Sequence, residues 1–579
     1  MALRLNPTRL LAFHRLESCP SRRLPPRRLR FCFVSGCNLG FRLLCRGVAG
    51  RSMEVASSLP PPSHSVRETI DLTEKEEKIF RRLLDVIRHF GMDTQLRVAG
   101  GWVRDKLLGK ECYDIDIALD NMLGQEFCEK VNAYLQHAGE EKQGVGVIQR
   151  NPEQSKHLET ARMRIYDMWI DFVNLRSEKY VENSRIPTME FGTAEEDAYR
   201  RDLTINSLFY NINTSSVEDL TGKGIQHLKA GFIATPLPPK ATFLDDPLRV
   251  LRAIRFGARF GFNLDENLKK AASDDEVKTA IADKISRERI GHEIDLMVSD
   301  NNPVIAMTYI CELNLFSAVF TLPKNPQPTL TDEIDRLCVL YLDGAWNILQ
   351  MIGSSFLSDE QRRLYLYAAL FIPLRNIVYT DNKSKKIPVS SYVVRNSLKL
   401  KASDAEMVAS LHSASERFIS LIPILESNEE SDIDVEDLGD ECLGFSPTSK
   451  RRVLAGLLLR QIKDFWRAAL LISTLLYPEV SHGDLLSRNF DLDKRKETFV
   501  RVEHVVNKLD LDNVWKTKPL LDGKAIMGAL QLKTGGPLVK EWQDKLLKWQ
   551  LAHPEKTANE ALDWMMQSQA KRAKLESCA

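Results

Sequence analysis

Two aspartates spaced i, i+2 on an apolar run, Asp114 and Asp116 in Tyr113-Asp-Ile-Asp-Ile-Ala-Leu119, are the residues of this chain best arranged to do chemistry. Tyr113, Ile115, Ile117 and Leu119 alternate with Asp114, Asp116 and Ala118, which predicts a buried strand. Residues two apart on a strand share a face, so the two carboxylates project side by side and can share divalent metal ions. Just upstream, Gly100 and Gly101 follow a short apolar segment (Leu96, Val98, Ala99) and precede a helical pattern from Trp102 to Leu108. Bare N–H groups at a helix start attract anions, and glycine lets a phosphate approach closely. Either half alone is commonplace: Gly-Gly precedes many helices, and a strand can carry aspartates on a solvated face. Together, with Arg104-Asp105 inside the helix, they predict metal-dependent chemistry on a nucleoside triphosphate.

The elements that must position these groups follow from periodicity. From about Asp71 to Phe90 the positions Ile79, Leu83, Leu84, Ile87 and Phe90 keep helical spacing. Strand and helix patterns alternate to about residue 235, including a strand over Met168–Arg176 that presents Asp171 between apolar neighbours. Beyond Phe243 the pattern is helical, with helices expected over Leu248–Phe260, Val277–Val298, Leu364–Ile372 and Leu454–Leu476. Asp246 and Pro247 are good helix-start residues. Arg249, Arg252 and Arg255 then recur every third position and predict one basic stripe. The fold class is α+β: a mixed α/β head followed by an all-helical remainder.

Composition bounds the rest. At 579 residues the chain is too long for one core, and its 43% hydrophobic and 27% charged content is that of a globular protein. There is no run of about 20 apolar residues, the length a membrane helix needs. Residues 1–52 hold eleven Arg, no Lys and a single acid, Glu17. Such a segment reads as an organelle transit peptide for mitochondrion or chloroplast, or alternatively as a basic arm that binds RNA directly. Met53 could serve as an internal start, giving a cytoplasmic or nuclear form. The leader carries +10 of a net +1, which leaves the remainder at −9, so any RNA surface is a local patch. Ten cysteines form no C-x-x-C pair, which argues against a zinc ribbon or a disulfide framework. Glu426–Glu441 holds nine acids and reads as a solvated loop; Lys571-Arg-Ala-Lys574 reads as a frayed helix end.

The run G-G-x-V-R-D-x-L-L-G followed by D-x-D resembles the head of the tRNA nucleotidyltransferases (CCA-adding enzymes), within the DNA polymerase β-like nucleotidyltransferase superfamily. The resemblance is strong over about residues 94–300 and faint over 520–555. With a transit peptide at 1–52 and a linker at 53–70 by composition, it implies a nucleotidyltransferase head at 71–235, a neck at 236–300, a helical body at 301–480 and a tRNA-binding tail at 481–579. Asp171 resembles the acid that faces the D-x-D pair, giving Asp114, Asp116 and Asp171 as ligands for two Mg²⁺ ions. Arg200-Arg-Asp-Leu-Thr-Ile-Asn-Ser207 resembles the ribose and phosphate segment. Arg201 would neutralise phosphate together with Gly100, Gly101 and Arg104, Asp202 would accept from a ribose 2′-hydroxyl, and Asn206 would brace the turn. Gly139–Thr160 resembles a flexible loop used in switching nucleotide, though its composition suits an ordinary hairpin as well; Asp219-Leu-Thr-Gly222 resembles a hinge or turn.

Asp245-Asp-Pro-Leu-Arg249 resembles the family's E/D-D-x-x-R motif, whose acid and arginine template the incoming base. A fixed acceptor, Asp246, beside a fixed donor, Arg249, suits cytosine and adenine alike, since each offers an amino group beside a ring acceptor. Uracil and guanine carry a carbonyl there and would leave buried polar groups unpaired. Arg252 and Arg255 are expected to reach the triphosphate, while Glu288 and Arg289 of Ile285-Ser-Arg-Glu-Arg-Ile290 brace the templating helix. Leu532–Val539, with Lys540, Lys545, Lys548 and Trp549 nearby, is weakly suited to the tRNA elbow. The activity implied is template-independent addition of CCA to tRNA from CTP and ATP. A bacterial-type poly(A) polymerase shares this head and is the nearest rival; a non-catalytic RNA-binding relative is a rival of another class, disfavoured by the intact metal pair.

Overall fold

The computed structural model describes residues 65–148, 160–179, 188–353, 355–427, 445–478 and 491–578. The leader, most of the linker, half of the Gly139–Thr160 segment and nearly all of the acidic segment lie outside the described residues. Helix α1 (Glu74–Phe90) starts at a reciprocal cap: the Thr73 hydroxyl accepts from the Glu76 amide, and the Glu76 carboxylate accepts from the Thr73 amide at 2.7 Å. The same carboxylate accepts from Trp102 Nε1 at 3.0 Å and Lys106 Nζ at 2.6 Å, fixing α1 to α2 (Gly101–Leu107).

Strand β1 (Leu96–Ala99) precedes α2, and β2 (Ile115–Leu119), α3 (Gly124–His137), β3 (Val145–Ile148), β4 (Thr160–Ile165) and β5 (Met168–Asn174) follow. A separate hairpin, β6 (Arg176–Lys179) with β7 (Thr188–Phe191), leads into α4 (Ala194–Tyr199); β8 (Phe209–Asn211) and β9 (Ser216–Glu218) return to the main sheet. That sheet has the order β3-β4-β5-β2-β1-β8-β9, with β2 and β5 parallel and the other neighbours antiparallel. Ile115, Ile117, Ile170 and Phe172 pack with α1 and α3 in the main core. On the opposite face a small patch of Ala99, Ala118, Leu175, Ala198 and Phe209 lies beside the chemically interesting positions of β2 and β5. Tyr113 precedes β2 rather than belonging to it; it is 72% exposed and donates to Glu111.

Helices α5 (Gly224–Ala230), α6 (Pro239–Asp245), α7 (Leu248–Phe260), α8 (Glu266–Ala272), α9 (Asp275–Lys284) and α10 (Arg287–Ser299) come next. The helix expected over Val277–Val298 is therefore two. Ile285 and Ser286 are extended, and Ser286 begins α10. The helix expected over Leu454–Leu476 is also two, Pro447–Ile462 and Trp466–Leu476, because Lys463 turns the chain at φ 56. Both pieces are buried, so apolar periodicity ran through each break unmarked. Beyond α10 the described residues are almost wholly helical, relieved by one short hairpin of Val378–Thr380 with Lys386–Pro388. Leu521, Ile526, Val539, Trp542, Leu546, Trp549, Ala561 and Met565 form a second, smaller core near the C-terminus.

Candidate active site

The parallel register of β2 and β5 sets Asp116 directly beside Asp171. Asp114 joins them, and one carboxylate oxygen from each of the three lies within 4.8 Å of the others. Asp114 is exposed and the other two are half-buried. The Asp116 carboxyl is pushed up to about 6, first by burial and then by the charges of Asp114 and Asp171, against the pull of Arg201 and Arg162. Three converging hard oxygen donors with surplus negative charge fit a divalent cation. Asp171 also accepts both nitrogens of a fork from Arg162 of β4, Nε at 2.5 Å and Nη2 at 2.8 Å. That arginine was not among the expected site residues, although Thr160-Ala-Arg-Met-Arg-Ile165 alternates as a strand.

Gly100 stands at the start of α2 with φ +69, and a Cβ there would lie 2.7 Å from Arg201 Nη1. Only glycine fits this left-handed position under the arginine. Arg201 is aimed by Asp197, whose second oxygen accepts from Arg201 Nε at 3.0 Å and Nη2 at 2.8 Å. Asp197 also accepts from Arg200 Nε at 2.9 Å. Burial opposes ionisation of Asp197, but Arg201 and Arg200 outweigh it and hold its carboxyl below the usual range. Asp197 is a second residue that sequence reasoning missed, being one of three acids in Glu195-Glu-Asp197 with nothing local to distinguish it.

Arg104 reaches back beside Gly101, where a Cβ would lie 3.6 Å from its Nη2. Its guanidinium is 4% exposed, donates to Asp105 at 2.9 Å and to the Asn206 side chain, and lies 4.9 and 4.8 Å from the rings of Phe256 and Phe260. Lying against both rings, which are stacked with centroids 6.0 Å apart, it is a strut between α2 and α7. Asn206 braces as expected, donating to Asp202 at 3.1 Å.

The stripe on α7 is also redistributed. Arg252 donates to Asp202 at 2.7 Å, and Arg255 donates to Glu293 of α10 at 2.6 Å. Arg255 is buried in that pair, and Arg252, partly exposed, is bonded to Asp202. Asp202 in turn has both oxygens engaged, by Arg252 and by Leu203 N and Asn206; against burial, Arg252 and Asn206 hold its carboxyl down at about 2. Its geometry is that of an anchor for α7.

Asp246 and Arg249 remain together at the start of α7. The Asp246 carboxylate caps Leu248 N at 3.3 Å and accepts from Arg289 Nη2 at 3.2 Å. Arg249 donates to the Arg200 carbonyl at 2.8 Å, which ties it to the segment that carries Arg201. Bracing by Arg289 is as expected, whereas Glu288 is exposed and Glu293, one turn beyond Arg289, takes the acidic role. Asp219 caps a turn, accepting from Ile225 N at 3.0 Å with Gly222 at φ +65. Trp549 is buried against Trp564, with ring centroids 5.8 Å apart, and is closed to any elbow contact.

A mixed sheet bearing three convergent aspartates, with an arginine over a glycine-started helix beside them, defines a metal-dependent nucleotidyltransferase. Residues 96–234 match the family model described as the poly A polymerase head domain. Along most of its length the chain is similar to the mitochondrial CCA tRNA nucleotidyltransferases of Candida glabrata and Saccharomyces cerevisiae. It is 34% identical to each, over 86% and 85% of this chain and 96% and 93% of theirs. Its fold is that of the Bacillus stearothermophilus CCA-adding enzyme solved with CTP, with a TM-score of 0.57 at 18% identity over 87% of this chain and all of the other. The chain belongs to the CCA tRNA nucleotidyltransferase family.

Proposed function

We propose that this chain adds C, C and then A to the 3′ end of tRNA from CTP and ATP, releasing pyrophosphate at each step, with the following division of labour. Asp114, Asp116 and Asp171 hold two Mg²⁺ ions. Bound there, the ions would acidify the attacking 3′-hydroxyl and neutralise charge on the departing pyrophosphate. Gly101 offers its backbone N–H at the start of α2, Gly100, whose own N–H is bonded to the Leu208 carbonyl at 2.9 Å, keeps a side chain out of the way, and Arg201, held by Asp197, supplies positive charge above them. Asp246 accepts from the amino group of cytosine or adenine while Arg249 donates to the adjoining ring acceptor. Arg289 and the Arg200 carbonyl keep that pair from turning, so a base presenting a carbonyl meets a fixed acceptor and is refused. Arg252, Arg255, Asp202 and Glu293 fix the templating helix relative to the head, and Arg104 does the same through Phe256 and Phe260.

The observation that carries the reading is the link from one chemistry to the other: Arg249, on the templating helix, is bonded to the residue preceding Arg201 at the phosphate end. A direct test is pyrophosphate release from CTP by pure protein with Mg²⁺ and a tRNA lacking CCA. Release that needs both tRNA and metal is expected; release from CTP without tRNA, or none at all, would contradict it.

Within this reading residues 71–235 form the head, 236–300 the neck, 301–480 the body and 481–579 the tail, the last supported by its own apolar cluster. The tRNA elbow then falls to exposed lysines of the tail such as Lys540. Residues 1–52 act as a mitochondrial targeting leader, which the names of the yeast relatives support. A fluorescent reporter fused to residues 1–52 is expected in mitochondria, and a diffuse signal would refute targeting.

A further inference from the structure

Trp169 is 54% exposed although it lies on an interior strand of the sheet, one residue in from the β4–β5 turn and two from the acid Asp171. Its neighbours on β5, Ile170 and Phe172, are fully buried in the core, so Trp169 and Asp171 alternate onto the opposite, open face. Two residues of strand rise separate them, about 7 Å. The parallel pairing of Ile115 with Ile170 and Asp116 with Asp171, continued one step back, brings Asp114 level with Trp169. On the other side Trp169 pairs across the strands with Arg164, and Asp171 with Arg162. Arg164 is itself exposed, and among the described residues it makes a solvent-facing ion pair to Asp167 at 3.1 Å. An indole thus stands beside the acid triad, flanked by arginines and half open to solvent among the described residues.

We propose that Trp169 is the platform on which the terminal base of the tRNA 3′ end stacks while its hydroxyl reaches the acids, with Arg164 beside the preceding phosphates. This rests on the function proposed above. In-line attack requires the 3′-hydroxyl at Asp114, Asp116 and Asp171, and a nucleotide spans about the distance from them to the indole. The incoming base is already provided for at Asp246 and Arg249, which leaves the acceptor end as the occupant. The chemistry also suits a strand whose last base changes with every addition. Hydrogen-bond readout would favour one terminal base, whereas an aromatic face accepts any base, and base–aromatic stacking is sequence-tolerant. The arginines complement the backbone phosphates.

The test uses the full chain and tRNAs ending at the discriminator base, C74 and C75, with 2-aminopurine as the terminal base in a parallel set. Trp169→Ala is expected to raise the KM for tRNA by about 5- to 100-fold, similarly for all three ends, and to relieve 2-aminopurine quenching measured without nucleotide. The KM for CTP should stay within about twofold, and Trp169→Phe, which keeps a ring, should restore most of the affinity. Unchanged tRNA KM and quenching in Trp169→Ala, with the wild type active, would overturn the platform alone. A rise confined to the KM for CTP would overturn it by assigning the ring to the incoming nucleotide. A wild type that extends no tRNA would overturn the activity and this assignment with it.

Discussion

For single residues the argument turns on which charges are left uncompensated. Asp116 is pushed up to about 6 by its burial and its acidic neighbours, whereas Asp202 is held down at about 2 by Arg252 and Asn206 despite burial. The first carries crowded charge that a bound cation would relieve, and the charge of the second is already compensated. Asp114→Ala should therefore lower nucleotide addition by about a thousandfold or more, since a metal clamp stabilises the transition state by several kcal/mol. Binding of tRNA measured by filter retention should persist, and substantial activity in that variant would remove Asp114 from the metal site. Asp246→Asn tests the template. An amide can donate as well as accept, so uracil's carbonyl gains a partner, and the preference for CTP over UTP should shrink by about 10- to 100-fold. Unaltered discrimination in single-turnover assays would take Asp246 out of base selection.

Among the elements, α10 joins two parts of the molecule through two faces. Arg289 and Glu293, four apart, hold Asp246 and Arg255 at and along α7. Arg287, Gly291 and Asp295, also four apart, face the helices beyond: Arg287 donates to the Ser397 and Ala318 carbonyls, and Asp295 pairs with Arg363 at 2.6 Å. A Cβ on Gly291 would fall 1.7 Å from the Leu398 carbonyl oxygen, which is backbone and cannot swing aside. Gly291→Ala should cost about 2 kcal/mol or more in urea unfolding, by the logic of overpacking, and should blunt base discrimination as α10 shifts. A wild-type unfolding midpoint would mean that the contact is not tight.

This element also marks how far the sequence could be read. The strand of Asp114 and Asp116, the helix after Gly101 and the strand of Asp171 were legible because alternation and helical spacing are local signals. The pairings of Arg104, Arg252 and Arg255 were not. A guanidinium at helical spacing looks the same whether it faces phosphate, a buried carboxylate or an aromatic ring, and only tertiary placement decides. Glu293 was within reach, one helical turn past Arg289. Asp197 and Arg162 acquire meaning only from the partners that the sheet brings to them.

Over the whole molecule, stability depends on buried groups far from the chemistry. His412, fully within the helical region, is held down at about 4 by burial, with the Ala368 carbonyl, bonded to Nε2 at 2.7 Å, opposing the shift. Its folded-state value lies below the unfolded one, so below about 6.5 the unfolded chain binds a proton that the folded chain refuses. Its contribution is intact above pH 6.5 and is lost as the pH falls towards 4, by roughly 2 kcal/mol between pH 7.5 and pH 5. His412→Gln keeps a donor for Ala368 but cannot titrate, and should flatten that part of the pH dependence of urea unfolding; an unchanged slope would place the acid sensitivity elsewhere.

The sheet, the templating helix and the helical region meet in one activity, and one measurement tests it most directly. A tRNA ending at the discriminator base is incubated with the protein, Mg²⁺ and each labelled nucleotide alone and in combination, and the products are resolved at single-nucleotide resolution. Addition should stop at two C with CTP alone and at CCA with CTP plus ATP. A long ladder with ATP alone would contradict this and make the protein a poly(A) polymerase.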